Sequence, residues 1–347
     1  KFADVENKAA GEFYTPRSVI RLMIKILQPE KGSSICDPAC GTGGMLLEAV
    51  RYIRERDGDI RSLYGNLYGQ ELNFITSAMA RANLFLHGIE DFHIHRGDTL
   101  SSPAFIENNK LKKFDIVLAN PPFGLKNWGY ELWKNDRWGR NKLGMPPAKN
   151  GDYAWIEHMI SSLNEDGRMA VVLPQGDLFR MGSEGKIRKK LLQLDIVECI
   201  IGLAPNIFYG TGLAGSIMVL NKNKPGNKKG KLLVIDGSEL FWKGRAQNEI
   251  REEHVTRIFD LYMMFGDVAG ESKVVDMFEL EENDWNLNIP RYILPVVDDD
   301  NVDINDAINN LNISFNDLWQ AESLFKETLI ECGFQESLGQ DLGGESQ

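Results

Sequence analysis

Cysteine is scarce in this 347-residue chain, and the four present (Cys36, Cys40, Cys199, Cys332) are scattered. Their spacing forms no zinc-ligand set, so a metal ribbon or finger is excluded, and no dense disulfide framework is available. Long hydrophobic runs are missing as well: no apolar stretch approaches the roughly 20 residues of a membrane-spanning helix. No secretory leader opens the chain. A reduced, cytoplasmic protein is the simplest expectation. The chain also lacks a helix-turn-helix, a zinc module and any internal repeat.

An excess of positive charge is missing too. The net charge is −11, which argues against tight nucleic-acid binding by the chain as a whole. The deficit is local, however. Residues 298–347 hold twelve acidic residues and a single basic one, Lys326. The remaining body is therefore neutral and can carry a local basic surface. Its composition, 43% hydrophobic and 26% charged, is that of an ordinary globular protein with a sizeable core. The chain starts with Lys1 and reaches its first strong motif by Gly11, and a preceding segment is expected.

What the body does contain is alternation. Apolar residues at helical spacing predict a helix over 17–28. A short strand over 33–36 follows, then the glycine-rich run DPACGTGG at 37–44 and a helix over 44–56. Strands are predicted over 66–71 and 92–95, with a helix over 73–87 between them. The apolar run FDIVLA at 114–119 reads as a buried strand. The pattern continues with helices over 152–163 and 183–194 and strands over 169–173, 196–203, 215–220 and 231–235, then weakens into helical stretches over 248–265 and 315–331. Strand–helix alternation of this kind predicts an α/β fold, a Rossmann-like, mainly parallel sheet with a C-terminal helical extension. The expected division is a catalytic domain over 1–235 and a mixed, helical, acidic-tailed region over 236–347.

Two motifs sit at strand ends, where open α/β sheets bind ligands. The glycine-rich run has the freedom for a sharp turn and close approach to a ligand, but it carries neither the lysine of a P-loop nor the G-x-G-x-x-G spacing of a dinucleotide site. Glu71 ends the next strand, well placed to accept both ribose hydroxyls of a nucleoside. Asp98 follows the third strand and can accept from an adenine amino group. A single acid in such a place is as readily a helix cap or solvated turn; three features on successive strands favour a site. The second motif is Asn120-Pro121-Pro122-Phe123, directly after the apolar strand. An exocyclic amine on a purine is a poor nucleophile because its lone pair is delocalised into the ring. Two acceptors on its hydrogens, the Asn120 side-chain oxygen and the Pro121 carbonyl, localise that pair. The two prolines hold the backbone in place and Phe123 can stack on the base. The bland reading is a rigid Asn-Pro turn. A base in a duplex must swing out to reach such a pocket, and Phe208 or Tyr209 can supply a second stacking face unless both are core aromatics.

Together these residues resemble the amino-methyltransferase group of DNA methyltransferases, and most closely the modification (M) subunit of type I restriction-modification systems. The likeness covers nearly the whole chain. GEFYTP at 11–16 looks like that family's segment touching the methionine part of the cofactor, which would assign Phe13, Tyr14, Thr15 and Pro16 to S-adenosylmethionine. Asp37, Ala39, Gly41 and Gly43 match its main cofactor loop, Glu71 the ribose acid and Asp98 the residue at the cofactor adenine. Asn120, Pro121, Pro122 and Phe123 match its catalytic tetrapeptide. FYGTG at 208–212 and DWNLNIPRYI at 284–293 look like later family segments. The resemblance implies an adenine-N6 methyltransferase of double-stranded DNA, with sequence recognition by a separate specificity subunit and a restriction subunit in the assembly. It departs in two ways. The helical domain that precedes GEFYTP in the family is reduced here to about ten residues, and Glu71 lies thirty residues past Gly41 instead of about twenty.

Residues 124–150 form a long segment with six Lys/Arg, two acids and Trp128, Trp133 and Trp138. Cations interleaved with aromatics suit phosphate contact and base stacking, which nominates Lys134, Arg137 and Arg140 for DNA contact. A structural or partner-facing loop is the alternative. Protein glutamine or RNA methyltransferases share the Asn-Pro-Pro-aromatic motif, and a non-catalytic cofactor-binding scaffold is a further reading. Tyrosine is expected in place of Phe123 in the protein enzymes.

Overall fold

The computed structural model describes residues 15–208, 210, 212–295 and 304–331. Phe13, Tyr14, Tyr209 and Cys332 lie outside the described residues. The helix α1 (Arg17–Leu27) buries Val19, Leu22, Met23 and Ile26 and turns Arg17, Arg21 and Lys25 outward. It is followed by β1 (Ile35–Asp37), α2 (Gly44–Asp57), β2 (Leu67–Glu71), α3 (Phe74–Leu86) and β3 (His93–Arg96). A small hairpin, β4 (Ile106–Glu107) with β5 (Lys110–Leu111), leads into β6 (Phe114–Ala119), α4 (Tyr130–Lys134) and α5 (Asp152–Ser161). Then come β7 (Leu163–Pro174), α6 (Ser183–Gln193), β8 (Val197–Leu203), β9 (Gly215–Asn221), β10 (Lys231–Gly237), α7 (Glu252–Met264), β11 (Ser272–Asp276) and α8 (Met277–Glu282). A last helix, α9 (Ile304–Glu331), belongs to a second unit that begins after Pro295.

Nine strands form one sheet in the order β11-β10-β8-β9-β7-β6-β1-β2-β3. It is parallel except for β9, which runs antiparallel to β7 and β8, and β11, which runs antiparallel to β10. The chain moves outward from β1 through β2 to β3 and then returns to place β6 on the other side of β1. That reversal opens a crevice above the carboxyl ends of β1 and β6, the place where open parallel sheets hold ligands. Apolar side chains fill both faces of the sheet: α1, α2 and α7 pack on one, α5, α6 and α8 on the other.

The expected break after residue 235 does not appear. β10 runs on to Gly237, β11 pairs with it edge to edge, and α7 packs its Val255, Ile258 and Leu261 into the same core as α1. Residues 236–295 are thus an integral part of the sheet domain. Sequence pattern missed β11 because Ser272–Asp276 is a short edge strand with one fully apolar pair. It shortened β7 because the turn-like LNEDGR begins a twelve-residue strand. The last helix is longer than the expected 315–331, starting at Ile304.

Candidate active site

The glycine-rich run forms the turn between β1 and α2. Gly41 (φ +53°) and Gly43 (φ +83°) both take the left-handed conformation, which a side chain disfavours. A Cβ on Gly41 would meet no atom of the described residues within 4 Å, so that side of the loop is open among them. A Cβ on Gly69, in contrast, would come within 2.6 Å of Ile94 and 2.8 Å of Cys40. Gly69 therefore lets the turn settle directly onto β2. The turn is also tied down by side chains distant in sequence: Thr99 donates its hydroxyl to the Pro38 carbonyl (2.6 Å), and Asn83 donates its amide to the Thr42 carbonyl (2.9 Å).

Three carboxyl groups surround this turn. Asp37, 2% exposed, accepts from the Ala39 N–H at 3.0 Å. Glu71 accepts from the Gly41 N–H at 3.0 Å and from the Asn73 N–H at 2.8 Å, so one carboxylate joins the ends of β1 and β2. Asp98 accepts from the Leu100 N–H (3.0 Å) and from the Ser101 hydroxyl (2.7 Å). It shapes the turn after β3 as an ordinary cap would. Burial, with the neighbouring Glu71 charge adding to it, pushes the Asp37 carboxyl up to about 8. A carboxyl that is neutral when folded and ionises above about 4 when unfolded binds one more proton in the native state. Its stabilising contribution is complete below pH 4 and is lost as pH rises to 8. Asp37→Asn, which cannot ionise, is expected to match the wild type near pH 4. By pH 8 it should exceed the wild type by a widening margin in denaturation midpoints. A margin independent of pH would contradict a proton-bearing Asp37.

Asn120 follows β6 at once. Because β1 and β6 pair in register (Ile35 with Ile116, Cys36 with Val117), the tetrapeptide emerges beside the glycine turn at the reversal point of the sheet. The Asn120 amide donates to the Thr15 hydroxyl at 2.8 Å, which ties the segment preceding α1 to the tetrapeptide. Beyond it, the Gly124 N–H donates to Asp152 at 2.7 Å, and Arg180 holds the second oxygen of Asp152 at 3.0 Å. Sequence reasoning did not nominate Asp152, Asn83 or Thr99. Their contacts span 28 to 61 residues, and no local spacing betrays them.

The remaining nominated residues fall differently. Phe123 packs edge-on against Phe208, ring centroids 6.0 Å apart. Phe208 is 1% exposed, and its ring lies so close to Gly215 that a Cβ there would come within 2.6 Å of it. It presents no face to a base in this conformation, so the stacking role expected of it gives way to a core role. Arg140 is likewise corrected. Its guanidinium is buried, forked onto Asp136 (2.7 and 3.0 Å) and hydrogen-bonded to the Thr99 and Leu100 carbonyls. It is stacked over the rings of Trp133 and Trp138. Trp128 and Trp133 are 1% exposed and form a satellite core with Leu100 and Trp155. Interleaved cations and tryptophans here pack on each other. Lys134 is exposed and paired with Glu131 at 2.9 Å. Arg137 is exposed and stacks on Trp138.

With the geometry of the turn and the tetrapeptide in hand, similarity to known proteins decides the family. Residues 1–300 match the family described as N-6 DNA methylase. The chain belongs to that family. It is 38% identical over 305 residues to the type I restriction enzyme MjaVII methylase subunit of Methanocaldococcus jannaschii, a match covering 85% of this chain and 51% of the relative. It is 31% identical to the HindI methylase subunit of Haemophilus influenzae, covering 98% of this chain and 75% of that protein. The crystal structure of a type I restriction-modification methyltransferase subunit from Streptococcus thermophilus superposes with a TM-score of 0.73 at 35% identity, covering 83% of this chain and 60% of that one. This N-6 DNA methylase chain spans about half the length of the first curated relatives it matches. Its fold is that of the S-adenosylmethionine-dependent methyltransferases. No helix among the described residues is long and apolar enough to cross a membrane.

Proposed function

We propose that this chain is the catalytic part of a DNA adenine methyltransferase, which moves a methyl group from S-adenosylmethionine to N6 of an adenine swung out of double-stranded DNA. The observation that carries this reading is the adjacency of the Asn120 tetrapeptide and the glycine turn on neighbouring strands. The turn suits such a cofactor in charge as well as shape. Residues 37–44 contain no lysine or arginine, and the carboxylates of Glu71 and Asp98 repel phosphates but attract a cationic sulfonium nucleoside. Glu71 and Asp98 then serve the ribose and the adenine, with the exposed Leu72 offering an apolar surface beside Glu71. Thr15 and Pro16, with Phe13 and Tyr14, serve the methionine end, and Ala39 and Gly43 line the turn. The sulfonium supplies an electrophilic methyl group. Asn120 and the Pro121 carbonyl accept from the target amine, Pro122 stiffens the segment and Phe123 contacts the base. No strong base is required.

In the same reading the chain works in the cytoplasm within a type I assembly. A specificity subunit reads the sequence, a restriction subunit joins it, and the region beyond 236, including α9, takes part in docking. Labelled cofactor supplied to the chain co-expressed with its neighbouring subunits tests the proposal. Label in plasmid DNA is expected; label in protein or RNA instead would overturn the substrate while leaving the methyltransferase fold standing. Gly41→Ala gives a local check. The left-handed backbone costs the variant about 1–2 kcal/mol of stability. Its methyl group would fill the open side of the turn, so cofactor affinity measured by calorimetry should fall on the order of ten-fold or more. Unchanged affinity would place the cofactor elsewhere.

A further inference from the structure

The opposite end of the sheet holds a second concave site. A cleft of about 700 Å³ opens where the amino ends of β6 and β7 meet the end of β9. It is lined by Lys110, Lys113, Arg137, Lys142 and Lys222, together with Trp138, and by no acidic residue among the described ones. These five cations come from three separated stretches of chain: residues 110–113, the 124–150 segment and the turn after β9. Their convergence is a product of the fold and not of a local basic run.

Several basic side chains elsewhere meet carboxylates: Lys112 meets Glu107, Lys134 meets Glu131, Arg140 meets Asp136, Lys224 meets Asp195 and Lys228 meets Glu198. Among the described residues none of the five cleft cations forms an ion pair. Lys113 donates to the Ser161 carbonyl and Lys222 to the Leu163 carbonyl (2.9 Å), so the hydrogen bonds of these two ammonium groups go to neutral oxygens. The crowding has an electrostatic consequence. Burial, then the charge of Lys113, brings Lys222 down to about 8, and burial with the charge of Lys142 lowers Lys113. The Glu165 charge offsets this at Lys222 only in part, so like charges are kept together at a cost in stability that a bound anion would relieve.

We propose that this cleft is a phosphate-binding site for a ligand carrying several phosphates in a row, whether a free polyphosphate or the backbone of a nucleic acid. Five convergent cations suit multiple charges, the volume is that of a ligand pocket, and Trp138 supplies an apolar wall. The site is distinct from the reaction centre. Asn120 lies seven residues beyond Lys113 along an extended strand, about 23 Å at roughly 3.3 Å per residue. The phosphates next to an adenine seated at Asn120 cannot reach it. The inference stands whether or not the methyltransferase reading does.

Calorimetric titration of the full chain with inorganic tripolyphosphate at low salt tests it. One equivalent is expected to bind, and the double variant Arg137→Ala, Lys142→Ala is expected to weaken binding at least ten-fold with an unchanged melting curve, since both side chains are exposed. The double variant Lys126→Ala, Lys149→Ala removes the same charge from exposed positions outside the cleft and should leave affinity intact. A short duplex of G·C pairs alone, which offers no adenine, identifies the source: displacement of tripolyphosphate points to a nucleic-acid backbone, and no displacement to a free polyphosphate. Absence of binding to the wild type, or equal losses in both double variants, would overturn the site.

Discussion

Replacing Asn120 with alanine is expected to lower the rate of methyl transfer about 100- to 1000-fold, the usual cost of removing one preorganised hydrogen-bonding group at a reaction centre. Cofactor affinity should stay largely unchanged. The residue lies at the end of β6 and does not belong to the glycine turn, so its loss removes an acceptor for the target amine and leaves the cofactor's own contacts in place. The Thr15 hydroxyl offers a graded control. It takes the Asn120 amide hydrogen at 2.8 Å, and Thr15→Val removes that partner while keeping the side-chain volume. An intermediate loss is expected, because Asn120 remains but its orientation loosens. Single-turnover kinetics with the assembled complex separates these effects from binding. An Asn120→Ala protein with full activity would remove the tetrapeptide from the chemistry.

The second large effect concerns stability. The side chains of Arg140 and Asp136 are each 2% exposed, and alanine at Arg140 leaves a buried carboxylate, two backbone carbonyls and the faces of two tryptophans without their partner. Breaking a buried pair from one side costs about 3–5 kcal/mol, which for a domain of this size lowers the melting temperature on the order of 10 °C. Lys134→Ala, at an exposed position on the same segment, should leave the melting temperature unchanged. If the two variants melted alike, the segment would be a loose surface loop after all.

That segment shows where sequence reading reaches its limit. A basic, tryptophan-rich stretch serves nucleic-acid contact and self-packing equally well, because both use guanidinium stacking on indole rings. Only the burial of Trp128, Trp133 and Arg140 separates them. Local signals fared better. The strand over 114–119 coincides with β6, since a run apolar at every position but Asp115, placed just before a double proline, leaves little freedom at either end. The glycine turn and Asn120 were legible for the same reason: their backbone demands are written in adjacent residues. The ties that hold them in place (Thr15 to Asn120, Thr99 to Pro38, Asp152 to Gly124) cross 28 to 105 residues. They arise from strand order, which composition and periodicity do not encode. Phe208 illustrates the same point, as an aromatic whose exposure depends on the glycine at 215 in a strand that follows it.

The most direct test of the central claim is to identify the methylated nucleoside. Plasmid DNA incubated with S-adenosylmethionine and the chain in complex with its neighbouring subunits is digested to nucleosides and resolved by mass spectrometry. The account predicts N6-methyladenine, present with the wild-type chain and reduced at least 100-fold with Asn120→Ala. Methylcytosine, or N6-methyladenine at the same level with both proteins, would contradict it.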